Sequence, residues 1–312
     1  CTTSSAKKVD SKYVIASLEK GNKTKNIFAD NLYKDIIDNS SNNSTVFNAV
    51  LQNLVDQKFP VNDDMKEDAA TIIKQIKSAY KSNYGDNYKD SLNQALTSAG
   101  YKNLSEYRQR MIKQIQYANF LLDYIDDHFD DVFNDYYQQC APKYVSLIKI
   151  SVSDTSSPTD DETSKLNEVK ELISNTDKSF GDIAQDYSDD STSSKKGSLG
   201  IVDSKDTSGI ANSYGEDVFN AIEALSEGQV SDVITGNDGY YFVKVTSTDK
   251  KTLKKELKKT DIDSPLLAYD DYLQYVVYNS YKINYKDKDI KKIVQEVVNK
   301  ALEERKTERG EA

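Results

Sequence analysis

Residues 187–200 read YSDDSTSSKKGSLG, an acidic, serine-rich turn that runs into a glycine–leucine–glycine step. Beyond it lie a helix-like DVFNAIEAL (217–225) and then GQVSDVITGNDGYYFVKVTST (228–248), which reads as two strands joined by the turn GNDG. Upstream, YVSLIKISV alternates and is rich in β-branched residues, predicting a strand over about 144–152. A polar loop with Pro158, a helix over roughly 161–174 and a shorter one from Ser179 to Tyr187 fill the interval. Residues 143–248 therefore predict β-α-α-loop-α-β-β, a compact α+β domain.

The flanks have another character. From about residue 25 to 140 the apolar spacing is helical, with Val46, Phe47, Val50, Leu51, Leu54 and Val55 recurring until Pro60 stops the element. The stretch DDMKEDAATIIKQIKSAYKSNYG is acidic at its start and basic later, in accord with the helix dipole. DSLNQALTSAG closes on Gly100 as a C-terminal cap, and Asn103 with Glu106 opens a segment expected to run unbroken through Phe129. After Lys250, Ser264 and Pro265 predict a helix start, and Ile290, Ile293, Val294, Val297, Val298, Ala301 and Leu302 form one stripe of a final helix. The closing EERKTERGEA reads as solvated and frayed.

The chain has 312 residues, 29% charged and 37% hydrophobic, with a net charge of −10 that argues against a nucleic-acid partner. No run is long enough for a bilayer-spanning helix. Cys1 followed by the polar TTSSAKKVDS resembles the processed N-terminus of a bacterial lipoprotein, which implies residues 1–20 as a lipid-anchored tether. A chain simply trimmed at Cys1 is the plainer alternative. Cys140 reads as a small, semi-buried residue at a helix end.

In order, Tyr187–Asp190, Lys196–Gly200, Leu225–Thr235 and Gly239–Val245 resemble the sequence blocks of the parvulin peptidyl-prolyl isomerases. With Cys1 and the split helical segments, the whole chain resembles a PrsA-type foldase lipoprotein with a SurA-like helical chaperone lobe. That resemblance implies an α+β fold in which a parvulin-like domain, a small antiparallel sheet with surrounding helices, is inserted between helical segments. The expected divisions are 1–20, 21–142, 143–248 and 249–312, the last packing with the N-terminal segment into one lobe. It also implies an extracytoplasmic, membrane-anchored location with Cys1 as the lipid anchor, and unfolded secreted proteins as partners. A homodimer is allowed; no cofactor and no metal are implied.

Rotation about an amide faces a barrier of roughly 18–20 kcal/mol, so X-Pro isomerisation can limit folding. In the family, two histidines and a Cys or Asp form the polar network of the site. Asp190 falls at the Cys/Asp position, but the histidine positions fall on Lys149 and Tyr241, with Lys149 able to pair with Asp190. For the proline pocket, Leu199 is in place; Ile210 or Tyr214 replaces one family residue and Val218 or Phe219 another. The expectation is a chaperone with weakened or lost isomerase activity; the alternatives are a fully active parvulin and, more distantly, a lipoprotein of unrelated role. His128 and the nearby Asp126, Asp127, Asp130 and Asp131 read as a solvated helix face, since no second histidine exists to complete a transition-metal set.

Overall fold

The computed structural model describes residues 7–175, 178–257 and 261–311. The elements run β1 (Lys8–Val9), β2 (Lys12–Lys20), β3 (Lys23–Phe28), α1 (Ala29–Asp38), α2 (Asn43–Lys58), α3 (Asp63–Tyr84), α4 (Tyr88–Ser98), α5 (Leu104–Asp127) and α6 (Phe129–Cys140). The central part continues with β4 (Lys143–Ser151), α7 (Asp160–Ser174), α8 (Phe180–Tyr187), β5 (Ser198–Val202), α9 (Ile210–Tyr214), α10 (Glu216–Ala224), β6 (Ile234–Thr235) and β7 (Gly239–Ser247). The chain ends with α11 (Lys250–Glu256), α12 (Leu273–Ser280) and α13 (Lys288–Glu308).

Two compact units emerge, Cys1–Leu121 with Tyr272–Ala312, and Leu122–Asp271. In the first, α13 packs on α2 and α12. Phe47, fully buried on α2, stacks on Tyr275 at 5.0 Å and meets Tyr278 edge-on at 5.1 Å. Ile293, Val294, Val298 and Ala301 supply the buried face of α13, at the helical spacing that the sequence presents. The Asn103 side chain accepts from the Glu106 N–H at 2.9 Å, and Glu106 accepts from the Lys102 N–H, so the predicted cap is formed.

In the second unit the sheet order is β5-β4-β7-β6, with all neighbouring pairs antiparallel. One side carries Val145, Leu147, Val202, Ile210, Val218, Ile222, Tyr241 and Val243. The other buries Ile148, Ile150, Val169, Ile183 and Phe242 beneath α7 and α8. Strand β4 therefore has apolar residues facing both ways over 147–148, which explains why its alternation lapses there. Lys143, at its start, spends its ammonium on the last carbonyls of α10: Ile222 at 2.9 Å, Glu223 at 2.6 Å and Leu225 at 3.1 Å. A cation at a helix C-terminus meets both the orphan carbonyls and the negative dipole end.

Several expectations are corrected. Residues 8–20 are not a tether: β1 and β2 lie there, β1 pairing with β2 and β2 with β3. The cross-strand alternation in KYVIASLEK and KTKNIF, split by a bulge at Val14–Ala16, builds the ladder. Cys1 itself lies outside the described residues. The long helix does not run through Phe129; it breaks at His128, whose ring stacks on Tyr124 at 4.1 Å while Nδ1 contacts the Tyr124 carbonyl. Ser264 caps only a 3-10 turn, Pro265–Leu267, and the helix proper starts at Leu273. The C-terminal tail stays helical to Glu308. Cys140 is fully buried, not semi-buried. The units divide at 121/122 and 271/272, so α6 and residues 249–271 fall with the central sheet and not with the flanking helices.

Candidate functional site

Lys149 and Tyr241 are direct partners in the β4–β7 ladder, so their side chains share one face of the sheet. Ahead of β7, the GNDG turn brings Asp238 to both. Its Oδ2 accepts from Lys149 Nζ at 2.5 Å and its Oδ1 from the Tyr241 hydroxyl at 2.5 Å. The ammonium also lies 5.7 Å from the Tyr241 ring centroid. A Cβ on Gly236 would sit 2.6 Å from Tyr241 Cε2, so the ring packs directly on bare glycine backbone.

Asp190 is held separately. It caps the 3-10 turn Ser191–Lys195, accepting from the Thr192 N–H at 2.8 Å and the Thr192 hydroxyl at 2.6 Å. The Tyr214 hydroxyl reaches it at 3.5 Å, the outer limit of a hydrogen bond. Tyr214 in turn meets Tyr241 edge-on, with ring centroids 6.2 Å apart. A Lys149–Asp190 pair is thus not formed. Lys149 takes the carboxylate next to its own cross-strand partner, and Asp190 is occupied by the turn that it caps.

Burial raises the Tyr241 phenol well above its ordinary value, with Asp238 adding to it through its hydrogen bond and charge. Tyr214 is pushed up to about 12, by burial first and by Asp190 second. Both hydroxyls are therefore protonated donors at neutral pH. The Asp238 carboxyl is held below its ordinary 3.8, chiefly by Lys149 and then by Tyr241. A lowered carboxylate pKa contributes stability that is present above 3.8 and lost as pH falls through the folded value. Because the Asp238 side chain is 64% exposed, Asp238→Asn is expected to cost under ~1 kcal/mol at neutral pH. The difference should vanish in urea melts below the folded pKa; a difference that persists in acid would show that Asp238 acts otherwise.

The loop whose register the sequence left open is organised by two aspartates. Asp203 takes the N–H groups of Lys205 and Thr207, and Asp206 takes those of Ile210 and Ala211, which starts α9 and turns Ile210 into the core. Leu199, Ile210, Tyr214, Val218 and Phe219 all gather in one apolar cluster with Tyr241. Ile210 and Val218 are 4% and 1% exposed, so they back the surface without offering one. Leu199, Tyr214 and Phe219 are the half-buried members able to meet a ligand.

Asp238 is the residue that the sequence alone does not single out, because GNDG reads as a turn joining two strands. The available signal was an acid three residues before Tyr241, in the turn that leads into the strand paired with β4. Among the described residues no group of three or more His, Cys, Asp or Glu is placed to hold a metal, and no helix is long and apolar enough to cross a membrane.

Residues 147–247 match the PPIC-type PPIase (rotamase) domain family. The foldase protein PrsA of Staphylococcus aureus (strain bovine RF122 / ET3-1) is 31% identical over 141 residues, 43% of this chain and 41% of that protein. PrsA of Staphylococcus epidermidis (strain ATCC 12228 / FDA PCI 1200) is 30% identical over 141 residues, with the same coverage. The chain thus spans about two-fifths of the length of the curated relatives it matches. Among solved structures, PrsA from Streptococcus pneumoniae covers 90% of this chain and 99% of its own at 19% identity and a TM-score of 0.40. PrsA from Bacillus subtilis covers 90% and 98% at 22% identity and a TM-score of 0.40. The resemblance to parvulin rotamases and PrsA foldases that the four sequence blocks carry is borne out by the family match and the curated relatives.

Proposed function

We propose that the chain is a foldase that works mainly by holding unfolded secreted proteins, with a parvulin-type domain of weak or lost isomerase activity. The observation that carries this reading is the state of the two histidine positions. Lys149 and Tyr241 are tied to Asp238, and Asp190 is spent on Thr192 and Tyr214. An imidazole pair can share and reorient protons around a twisting amide near neutral pH. An ammonium clamped to a carboxylate and a phenol raised above its ordinary value cannot.

What remains suits binding. Leu199, Tyr214 and Phe219 offer a half-buried apolar surface beside two protonated hydroxyls. An extracytoplasmic, membrane-anchored placement belongs to the same proposal and rests on the likeness to PrsA-type lipoproteins. Intact-mass measurement on membrane-extracted protein tests it; a mass without a lipid adduct would refute the anchor.

The holding activity is tested by light scattering of a chemically denatured secreted enzyme diluted into buffer with the full chain. Suppression that rises to a plateau near equimolar ratio, and is unchanged in Asp190→Ala, is expected. No suppression at any ratio would overturn the reading.

A further inference from the structure

Among the described residues, eight of the nine large apolar side chains left exposed fall between Val9 and Ile36, within β1–β3 and α1. Concentrated exposure of this kind marks an interaction surface, whereas scattered apolar residues do not. The register sorts the sheet into two unlike faces. Ser17 pairs with Asn26, hydroxyl to amide oxygen at 3.0 Å, and Glu19 with Thr24, giving a polar face. On the opposite face Ala16 pairs with Ile27 and Leu18 with Lys25, two residues along from Lys23. Leu18 is 63% and Ile27 46% exposed. In α1, Leu32 and Ile36, one turn apart, are exposed as well.

Charge decides among the occupants. Residues 7–28 hold six lysines against two acids, in a chain whose net charge is −10. Asp30, Asp35 and Asp38 lie in α1, with Asp30 paired to Lys12 at 3.0 Å, so the basic character belongs to the sheet face that carries Lys23 and Lys25. A second copy would set this locally basic surface against itself, with Lys23 and Lys25 desolvated beside their own counterparts. An anionic bilayer satisfies both halves of the face: headgroup phosphates take the lysines and the acyl boundary takes Leu18 and Ile27. The long lysine side chains reach outward while their stems cover apolar surface.

We propose that the β1–β3 sheet docks its Leu18/Lys25/Ile27 face on anionic membrane surface. The contact is made by folded residues, is separate from any acyl group, and is independent of how the rotamase site works.

The test is flotation of the full, unacylated chain with phosphatidylglycerol–phosphatidylcholine vesicles and with pure phosphatidylcholine vesicles. Binding to the anionic vesicles alone, weakening as salt is raised, is expected. Lys23→Gln with Lys25→Gln should reduce the apparent affinity roughly tenfold or more, since each surface lysine is worth about fivefold. Leu18→Ser with Ile27→Ser should reduce it comparably. The lysine pair keeps the test readable if the apolar pair loses the sheet, because Lys23 and Lys25 are exposed and their replacement opens no buried contact. Equal binding to both vesicles, no binding, or indifference to the lysine pair would overturn the proposal. So would a dimer in sedimentation equilibrium that Leu18→Ser/Ile27→Ser dissolves, which would assign the face to a second copy.

Discussion

Gly197→Ala is expected to destabilise the rotamase unit by about 2–5 kcal/mol, a large part of the stability of an ordinary domain. Gly197 has φ +76°, where an L side chain costs about 1–2 kcal/mol. Space is the larger problem. Its Cβ would stand 2.4 Å from the Leu147 carbonyl oxygen and 2.8 Å from the Ala184 methyl. Neither can yield: Leu147 lies in the central strand and donates its N–H to the Gly197 carbonyl at 2.8 Å, and Ala184 is fully buried on α8. Forcing in a methyl group adds roughly 1–3 kcal/mol of overpacking. Gly200→Ala is the control, with φ +80° but nothing within 4 Å of its Cβ, and should lose only the backbone part. In thermal melts Gly197→Ala should fall by on the order of 10 °C, well below Gly200→Ala. Equal losses would mean that the close approach of β4 to the glycine is not as tight as described.

Asp203→Ala should cost about 3 kcal/mol or more. This carboxylate is 0% exposed and gathers the Tyr136 hydroxyl at 2.7 Å, the Lys205 N–H at 3.0 Å and the Thr207 N–H at 3.3 Å, with the Thr207 hydroxyl beside them. Tyr136 is itself 0% exposed, and burial followed by the Asp203 charge drives its phenol far above the ordinary value. Removing the acceptor strands a buried hydroxyl and two amides, each worth about 1–3 kcal/mol when unsatisfied. Around this knot Tyr136 meets Tyr269 edge-on at 5.4 Å, and Lys205 Nζ donates to the Tyr269 carbonyl at 2.7 Å. Tyr136→Phe should cost less, about 1–2 kcal/mol, because it withdraws one donor of several. Urea melts that move by less than ~1 kcal/mol in Asp203→Ala would contradict this account of the loop.

These two sites show where sequence reading stops. The strand and helix order of the central domain was legible because its signals are local: alternation in YVSLIKISV, the helix start at Ser179, and the glycine steps. Asp203 looked like any loop acid, since nothing local announces that Tyr136, 67 residues away, will reach it. For the same reason α6 reads with the flanking helices: its own periodicity is helical, and long-range bonds such as Tyr136 to Asp203 and Tyr137 to the Thr248 carbonyl tie it to the central unit. The N-terminal strands were hidden by their lysines, which made a half-exposed ladder resemble a polar tether. At the site, Lys149, Tyr241 and Asp190 were legible as positions, but their pairing was not. Pairing depended on Asp238, whose side-chain direction is set by the β6–β7 turn. A fragment starting at residue 143 would lack Tyr136, so the full chain is the proper material for activity work.

The most direct test is the rate of a proline-limited refolding reaction followed with and without catalytic amounts of the full chain. The account predicts a rate close to the spontaneous one, alongside stoichiometric protection of the same substrate from aggregation. Marked acceleration that Asp190→Ala and Tyr241→Phe each abolish would contradict it, and would establish that a lysine–tyrosine–aspartate set can turn prolines without histidine.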